Sequence, residues 1–193
     1  MGKYKEFVMK KIAFIFLACM ISFIVQAQEG ETHLAFMGIE LKGTISDFQK
    51  KLIAKGLTIS PQSKQYPAGM RSFDGTFSGE KAEIFVWYNP RSQEVYRAKA
   101  VIDRVGKDLV EQLMDNMIRK LDAKYGTSTK LSEKVKDDYL QEFEQTSYLF
   151  SNGSIDVFIV SKGYTSQSGF SLHLDYKDKE NYLKNTKDEM DDL

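Results

Sequence analysis

The chain of 193 residues carries 27 basic and 27 acidic side chains, is 42% hydrophobic and 12% aromatic, and holds one cysteine. Balanced charge argues against a nucleic-acid partner, because such binders concentrate positive charge on one face. A lone cysteine permits neither an internal disulfide nor a cysteine-based metal site.

The sequence opens with the pattern of an export signal. Met9-Lys10-Lys11 is a short basic start, residues 12–25 are almost wholly apolar, and Val25-Gln26-Ala27 precedes a polar stretch that begins at Gln28. This predicts cleavage after Ala27 and a location in the periplasm or outside the cell. The apolar run falls short of the roughly 20 residues a membrane-spanning helix needs. No second run of that size follows, so no transmembrane span is expected in the mature chain. Met9 also fits a start codon, since Met-Lys-Lys-Ile is a common opening of such signals. Cys19 follows Phe16-Leu17-Ala18 as in a degenerate lipoprotein box. Residues 20–25 stay apolar, however, where a lipoprotein would begin a polar tether, so Cys19 reads as filler discarded with the signal. Removing residues 1–27 leaves 166 residues with 23 basic and 26 acidic side chains. That length can bury a core without staples, as one domain or two small halves packed together.

Residues 34–41 read as a strand weakened by Gly38. A short helix follows, capped by Thr44 or Ser46, with Phe48, Leu52 and Leu57 on its buried side and Gly56 ending it. Residues 82–88 and 95–102 read as strands on either side of the turn Asn89-Pro90-Arg91-Ser92. In the second of these, Tyr96, Ala98, Ala100 and Ile102 share one face, and Arg97 and Lys99 the other. The next helix is the clearest element. Leu109, Val110, Leu113, Met114, Met117, Ile118 and Leu121 recur at steps of three and four. Asp108 with Glu111 reads as a capping box, and Gly126 as the stop. The methionines of this stripe read as core rather than as a ligand surface.

Tyr148 and Phe150 lead into Asn152-Gly153, the dipeptide of a hairpin turn with positive φ at both positions. Residues 155–160 form the returning strand. Phe170, Leu172, Leu174 and Tyr176 then alternate with Ser171, His173 and Asp175, which predicts a sheet with one wet and one covered face. Beyond Asp175 the chain is rich in charge, with Tyr182, Leu183 and Met190 sparse, and reads as a loose helix or frayed tail.

Two stretches match in order. Lys51-Leu52-Ile53-Ala54-Lys55-Gly56 resembles Lys120-Leu121-Asp122-Ala123-Lys124-Tyr125-Gly126. Phe77-Ser78-Gly79 with Ile84-Phe85-Val86 resembles Phe150-Ser151-Asn152-Gly153 with Val157-Phe158-Ile159-Val160. The expected fold is therefore α+β, a duplication of a helix followed by three antiparallel strands, with the helices packed on one side of the sheet. The divisions are a signal at 1–27, a first unit at 28–105, a second at 106–177 and a charged tail at 178–193.

No catalytic, metal or nucleotide motif stands out. His33 falls in the terminus and His173 on the polar face of a strand, where a solvated surface role is expected. No Gly-x-Ser-x-Gly elbow, glycine-rich phosphate loop or calcium loop is present. Asp137-Asp138 and Asp191-Asp192 lie in solvated, charge-rich stretches rather than as a catalytic pair. No cofactor and no metal are expected. Aromatic density is the feature with functional content. Tyr66, Phe73, Phe77, Phe85, Trp87, Tyr88 and Tyr96 crowd the first half, and alternation prevents Phe85, Trp87 and Tyr88 from sharing one core. Exposed Trp and Tyr commonly mark binding surfaces, so Trp87, Tyr88, Tyr96 and Phe85 are the candidate contact residues.

The signal, the opening Phe36-Met37-Gly38-Ile39-Glu40-Leu41, the short capped helix, the antiparallel strands and their repetition resemble the β-lactamase-inhibitor-protein-like fold. Small α/β lipoproteins of outer-membrane assembly share half of this pattern. The resemblance implies protein binding or an envelope role, with the concave sheet as the contact surface. The sequence is thus read as an exported, non-enzymatic binding protein whose partner is a protein or envelope component. A small exported hydrolase with an unmarked site is the alternative.

Overall fold

The computed structural model describes residues 33–127, 129–136, 142–162 and 169–190. The expected export signal, Asp137-Asp138 and Asp191-Asp192 lie outside them. A tight hairpin comes first. β1 (Ala35–Phe36) and β2 (Ile39–Glu40) pair antiparallel around Met37 and Gly38, whose φ angles are 52° and 73°. Residues 34–41 are therefore two short strands rather than one, because this left-handed pair reverses the chain. Phe36 stacks on Phe77 and meets Tyr176 edge-on, which fastens the hairpin to the core. α1 (Ile45–Ala54) starts at Thr44, whose Oγ1 accepts from the Asp47 N–H, and it buries Ile45, Phe48 and Leu52.

One antiparallel sheet of eight strands dominates the molecule, and it corrects the expected pair of helix-plus-three-strand units. After α1 come β3 (Thr58–Ile59), β4 (Met70–Phe77), β5 (Glu80–Tyr88) and β6 (Val95–Val105). After α2 (Lys107–Tyr125) come β7 (Lys130–Lys136), β8 (Glu142–Phe150), β9 (Gly153–Ser161) and β10 (Gly169–Asp178). The spatial order is β3-β4-β5-β6-β10-β9-β8-β7. Four strands thus follow each helix, and β6 pairs with β10 to fuse both meanders into a single sheet. The two outermost strands escaped the sequence reading for physical reasons. β3 has only two residues, and β7 is mostly exposed and lysine-rich, so neither shows the alternation of a half-buried strand.

α2 packs on β6, β9 and β10. It buries Val110, Leu113, Met114, Met117 and Leu121, while Leu109 is 54% exposed and leaves the expected stripe. The expected capping box is absent. Gly106, at φ 92°, precedes the helix without a side-chain cap, and Asp108 lies inside its first turn. Tyr148 pins the helix to β8: its hydroxyl donates to Asp122 Oδ1 at 2.6 Å.

Two turns also differ from expectation. The β8–β9 turn uses Ser151 and Asn152, since Phe150 pairs with Gly153 inside the ladder. Gly153 is needed there for another reason: a Cβ would lie 2.2 Å from the Lys177 carbonyl oxygen. The left-handed two-residue turn occurs instead between β4 and β5, at Ser78 (φ 54°) and Gly79 (φ 92°).

The charged C-terminal segment is an ordered helix, α3 (Lys179–Met190), across the ends of β6, β9 and β10. It docks through polar groups. Asn181 is 4% exposed and donates to the carbonyls of Leu41 and Val95 at 2.9 and 3.2 Å. Asp178, fully buried, accepts from the Asn181 N–H at 3.0 Å and the Leu34 N–H at 2.8 Å, and lies 3.2 Å from His33 Nδ1. His33 is thereby fixed against the end of β10. The sparse apolar residues Tyr182, Leu183 and Met190 are exposed. No helix among the described residues is long and apolar enough to cross a membrane.

Two substitutions test this packing. Leu113→Ala should cost about 2–5 kcal/mol in urea denaturation, as for other buried leucines. Asn181→Ala should cost about 1–3 kcal/mol for each carbonyl left without its donor, and hydrogen exchange should show α3 opening ahead of the sheet.

Candidate functional site

Alternation along the strands decides what the two sheet faces carry. Ile84 and Val86 of β5, Ala98 and Ala100 of β6, and Leu172 and Leu174 of β10 point toward the helices and are buried. Their sequence neighbours point the other way, onto a face that carries no helix among the described residues. Strand register arranges these neighbours in rows. One row runs Ser72, Phe85, Lys99, Asp175 and Asp156 across β4, β5, β6, β10 and β9. A second runs Asp74, Glu83, Val101, His173 and Phe158. A third runs Met70, Trp87, Arg97, Lys177 and Ser154. Residues of these rows line a depression of about 700 Å³, a size typical of small-molecule sites.

One side of the depression is aromatic. Phe85 and Trp87 are half-buried, with ring centres 6.1 Å apart, and Tyr66 meets Phe85 edge-on at 5.6 Å. Cations lie over these rings. Arg97 Cζ is 4.3 Å from the Trp87 ring centre, and Lys99 Nζ is 5.2 Å from Trp87 and 5.9 Å from Phe85. Asp175 holds Arg97 in place through bidentate hydrogen bonds of 2.8 and 2.5 Å.

The structure brings together only two of the four aromatic residues singled out from the sequence. Phe85 and Trp87 share the open face. Tyr88 lies on the opposite face, packed on the core beneath the Arg71 guanidinium. Tyr96 meets Tyr182 of α3 at 5.8 Å. A bulge separates them: Trp87 pairs with Arg97 and Tyr88 with Val95, which leaves Tyr96 outside the ladder. Phe73 and Phe77 are core residues.

The other side is polar, and of its ionisable groups only His173 was weighed for a role from the sequence. Asp74 and Glu83 stand directly opposite each other on β4 and β5. Burial, and then the Asp74 charge, raise the Glu83 pKa. Burial, and then the Glu83 charge, raise that of Tyr66. Burial lowers the Lys99 pKa against the pull of Asp175. His173 is half-buried rather than solvated, with its ring stacked on Phe158 at 5.0 Å. Burial, and then the Lys99 charge, bring its pKa from 6.5 to about 4. Alternation alone could have put Glu83, Lys99 and His173 on the uncovered side of their own strands. What joins them is the order β5-β6-β10, which no local pattern encodes.

Ser171 Oγ lies 2.9 Å from His173 Nε2, the contact of a nucleophile with its base. The rest of a triad does not accompany it. The imidazole is a weak base, and its Nδ1 is buried without a hydrogen-bond partner where an orienting carboxylate would be needed. Among the described residues, no group of three or more His, Cys, Asp and Glu could hold a metal ion.

The His173 imidazole gives a pH signature. Its pKa is lower in the folded than in the unfolded chain, so the unfolded chain binds more protons between these values. Stability should therefore fall as pH drops from about 6.5 towards about 4, by an amount on the order of 2–3 kcal/mol. Thermal melts of wild type and His173→Gln across this window check it, and the variant should lose this part of the pH dependence.

No family model matches the chain, and neither does any curated protein or solved structure.

Proposed function

We propose that this chain is an exported, non-enzymatic binding protein of the periplasm or cell exterior. It contacts a protein or envelope component through the open face of its sheet. The observation that carries the reading is the Phe85–Trp87 pair, two large rings half-exposed in a depression on a sheet face that carries no helix among the described residues. Half-buried cations lie over these rings, and Arg97 is itself held by Asp175, so binding would order little at that guanidinium. Export is supported by the basic, apolar and small-residue order of positions 9–27.

A hydrolase is the second reading, favoured by the Ser171–His173 contact alone. One set of proteins separates the two readings. Wild type, Trp87→Ala and Ser171→Ala would be recovered from the native host, immobilised and challenged with envelope extract. Trp87→Ala should weaken retention of the bound component by about thirtyfold, the 2 kcal/mol typical of a central aromatic contact, with an unchanged circular dichroism spectrum. Equal retention by wild type and Trp87→Ala would overturn the binding reading. Ester hydrolysis by wild type that Ser171→Ala abolishes would establish the hydrolase instead.

A further inference from the structure

The depression holds unmatched charges of both signs. Several neighbouring cations of the open face are matched, Arg97 with Asp175, Lys177 with Asp156 at 2.8 Å, and Lys162 with Asp103 at 2.5 Å, while Lys81 at the rim is exposed to solvent. Lys99 has no ion pair or hydrogen bond among the described residues. Its ammonium lies over the rings of Trp87 and Phe85, and Asp175 stands opposite it on β10 without reaching ion-pair distance. Asp74 and Glu83 are likewise without a cation at ion-pair distance among the described residues, although they stand opposite each other on adjacent strands. Like charges placed this way destabilise a sheet. The arrangement thus leaves an anionic pole, a cationic pole and an apolar floor between them.

Register sets the spacing of the poles. Glu83 is opposite Val101 on β6, and Lys99 lies two residues away on that strand. Two residues along and one strand across separate their Cα atoms by roughly 8 Å, about the length of a two-residue peptide.

We propose that the depression binds a short peptide with free ends, its amine against Asp74 and Glu83, its carboxylate against Lys99 and an apolar side chain on Phe85 and Trp87. The inference deepens the binding reading above and rests on it. Other ligand classes fit less well. A simple anion would meet the Asp74–Glu83 pair, and a simple cation would meet Lys99. A neutral ligand would leave both poles desolvated without a partner. The shifted ionisation of the poles agrees with this. Burial disfavours the charged forms of both Glu83 and Lys99, and a ligand of opposite charge at each would reverse that.

The chain carries its own reporter, because Trp87 is its single tryptophan. Protein recovered from the native host would be titrated with leucyl-leucine, its N-acetyl form, its amide and the doubly blocked dipeptide, and Trp87 emission followed. The unblocked dipeptide should give a saturable change, and each single block should weaken binding about tenfold or more. Lys99→Met should bind leucyl-leucine and its amide equally. Glu83→Gln should narrow the gap between the free and N-acetylated forms, leaving Asp74 as the amine's partner, and should also melt at a higher temperature than wild type because the like-charge pair is gone. The proposal fails if no saturable change appears up to about 10 mM, a limit near the weakest specific binding. It fails too if the doubly blocked dipeptide binds as tightly as the free one. Either failure, with the Trp87→Ala loss of envelope retention intact, would leave the binding face standing and remove only its peptide specificity.

Discussion

β6 and β10 are the two central strands of the sheet, and their antiparallel ladder runs from Val105–Gly169 to Arg97–Lys177. Each arrives at the end of its own meander, one before α2 and one after it. Unpaired, each meander would present a row of free backbone groups through the middle of the molecule. Paired, they set Ala98, Ala100, Ile102, Leu172 and Leu174 in one continuous layer under α2. The same ladder places Asp175 and His173 beside Arg97, Lys99 and Val101 on the open side. One set of backbone hydrogen bonds thus determines both the core and the chemistry of the depression.

Much of the local structure was legible in the sequence because burial leaves a period. The stripe of α2 and the alternation of β10 follow from which side chains avoid water, and the Thr44 start of α1 and the Asn89 turn from local hydrogen bonds of polar side chains to the backbone. The parts that escaped are held by other forces. α3 docks through Asn181 and Asp178, and a helix seated by hydrogen bonds has no apolar stripe to read. β7 is an edge strand whose lysines guard it from further pairing, and they conceal it as well. The Asn152-Gly153 signal misled because Gly153 answers to the close approach of Lys177 rather than to a turn. Of the depression, the aromatic pair was visible as composition, whereas Asp74, Glu83, Lys99 and His173 become neighbours only through strand order.

The two faces of the sheet obey different rules. Toward the helices, nearly every side chain is apolar and closely packed. Toward the opening, polar and aromatic groups are gathered at some cost: carboxylates face each other, a lysine rests on rings, and an imidazole is kept neutral by its surroundings. Stability alone does not favour such choices, and their concentration in one depression is the pattern of a functional surface. The buried Arg97–Asp175 pair has a different part. It anchors the guanidinium over the Trp87 ring.

The meeting of β6 with β10 also has a temporal meaning. β10 and α3 leave the ribosome after every other described element, yet β10 fills the centre of the sheet, Asp178 at its end accepts from the Leu34 N–H, and Asn181 of α3 donates to the Leu41 carbonyl. No earlier portion of the chain can complete the native arrangement, and contacts that span the whole sequence form slowly. A polypeptide wired this way stays unfinished until β10 and α3 are present. Were the chain exported as proposed, that delay would serve it, because the same topology that stabilises the finished protein would postpone its formation until after passage.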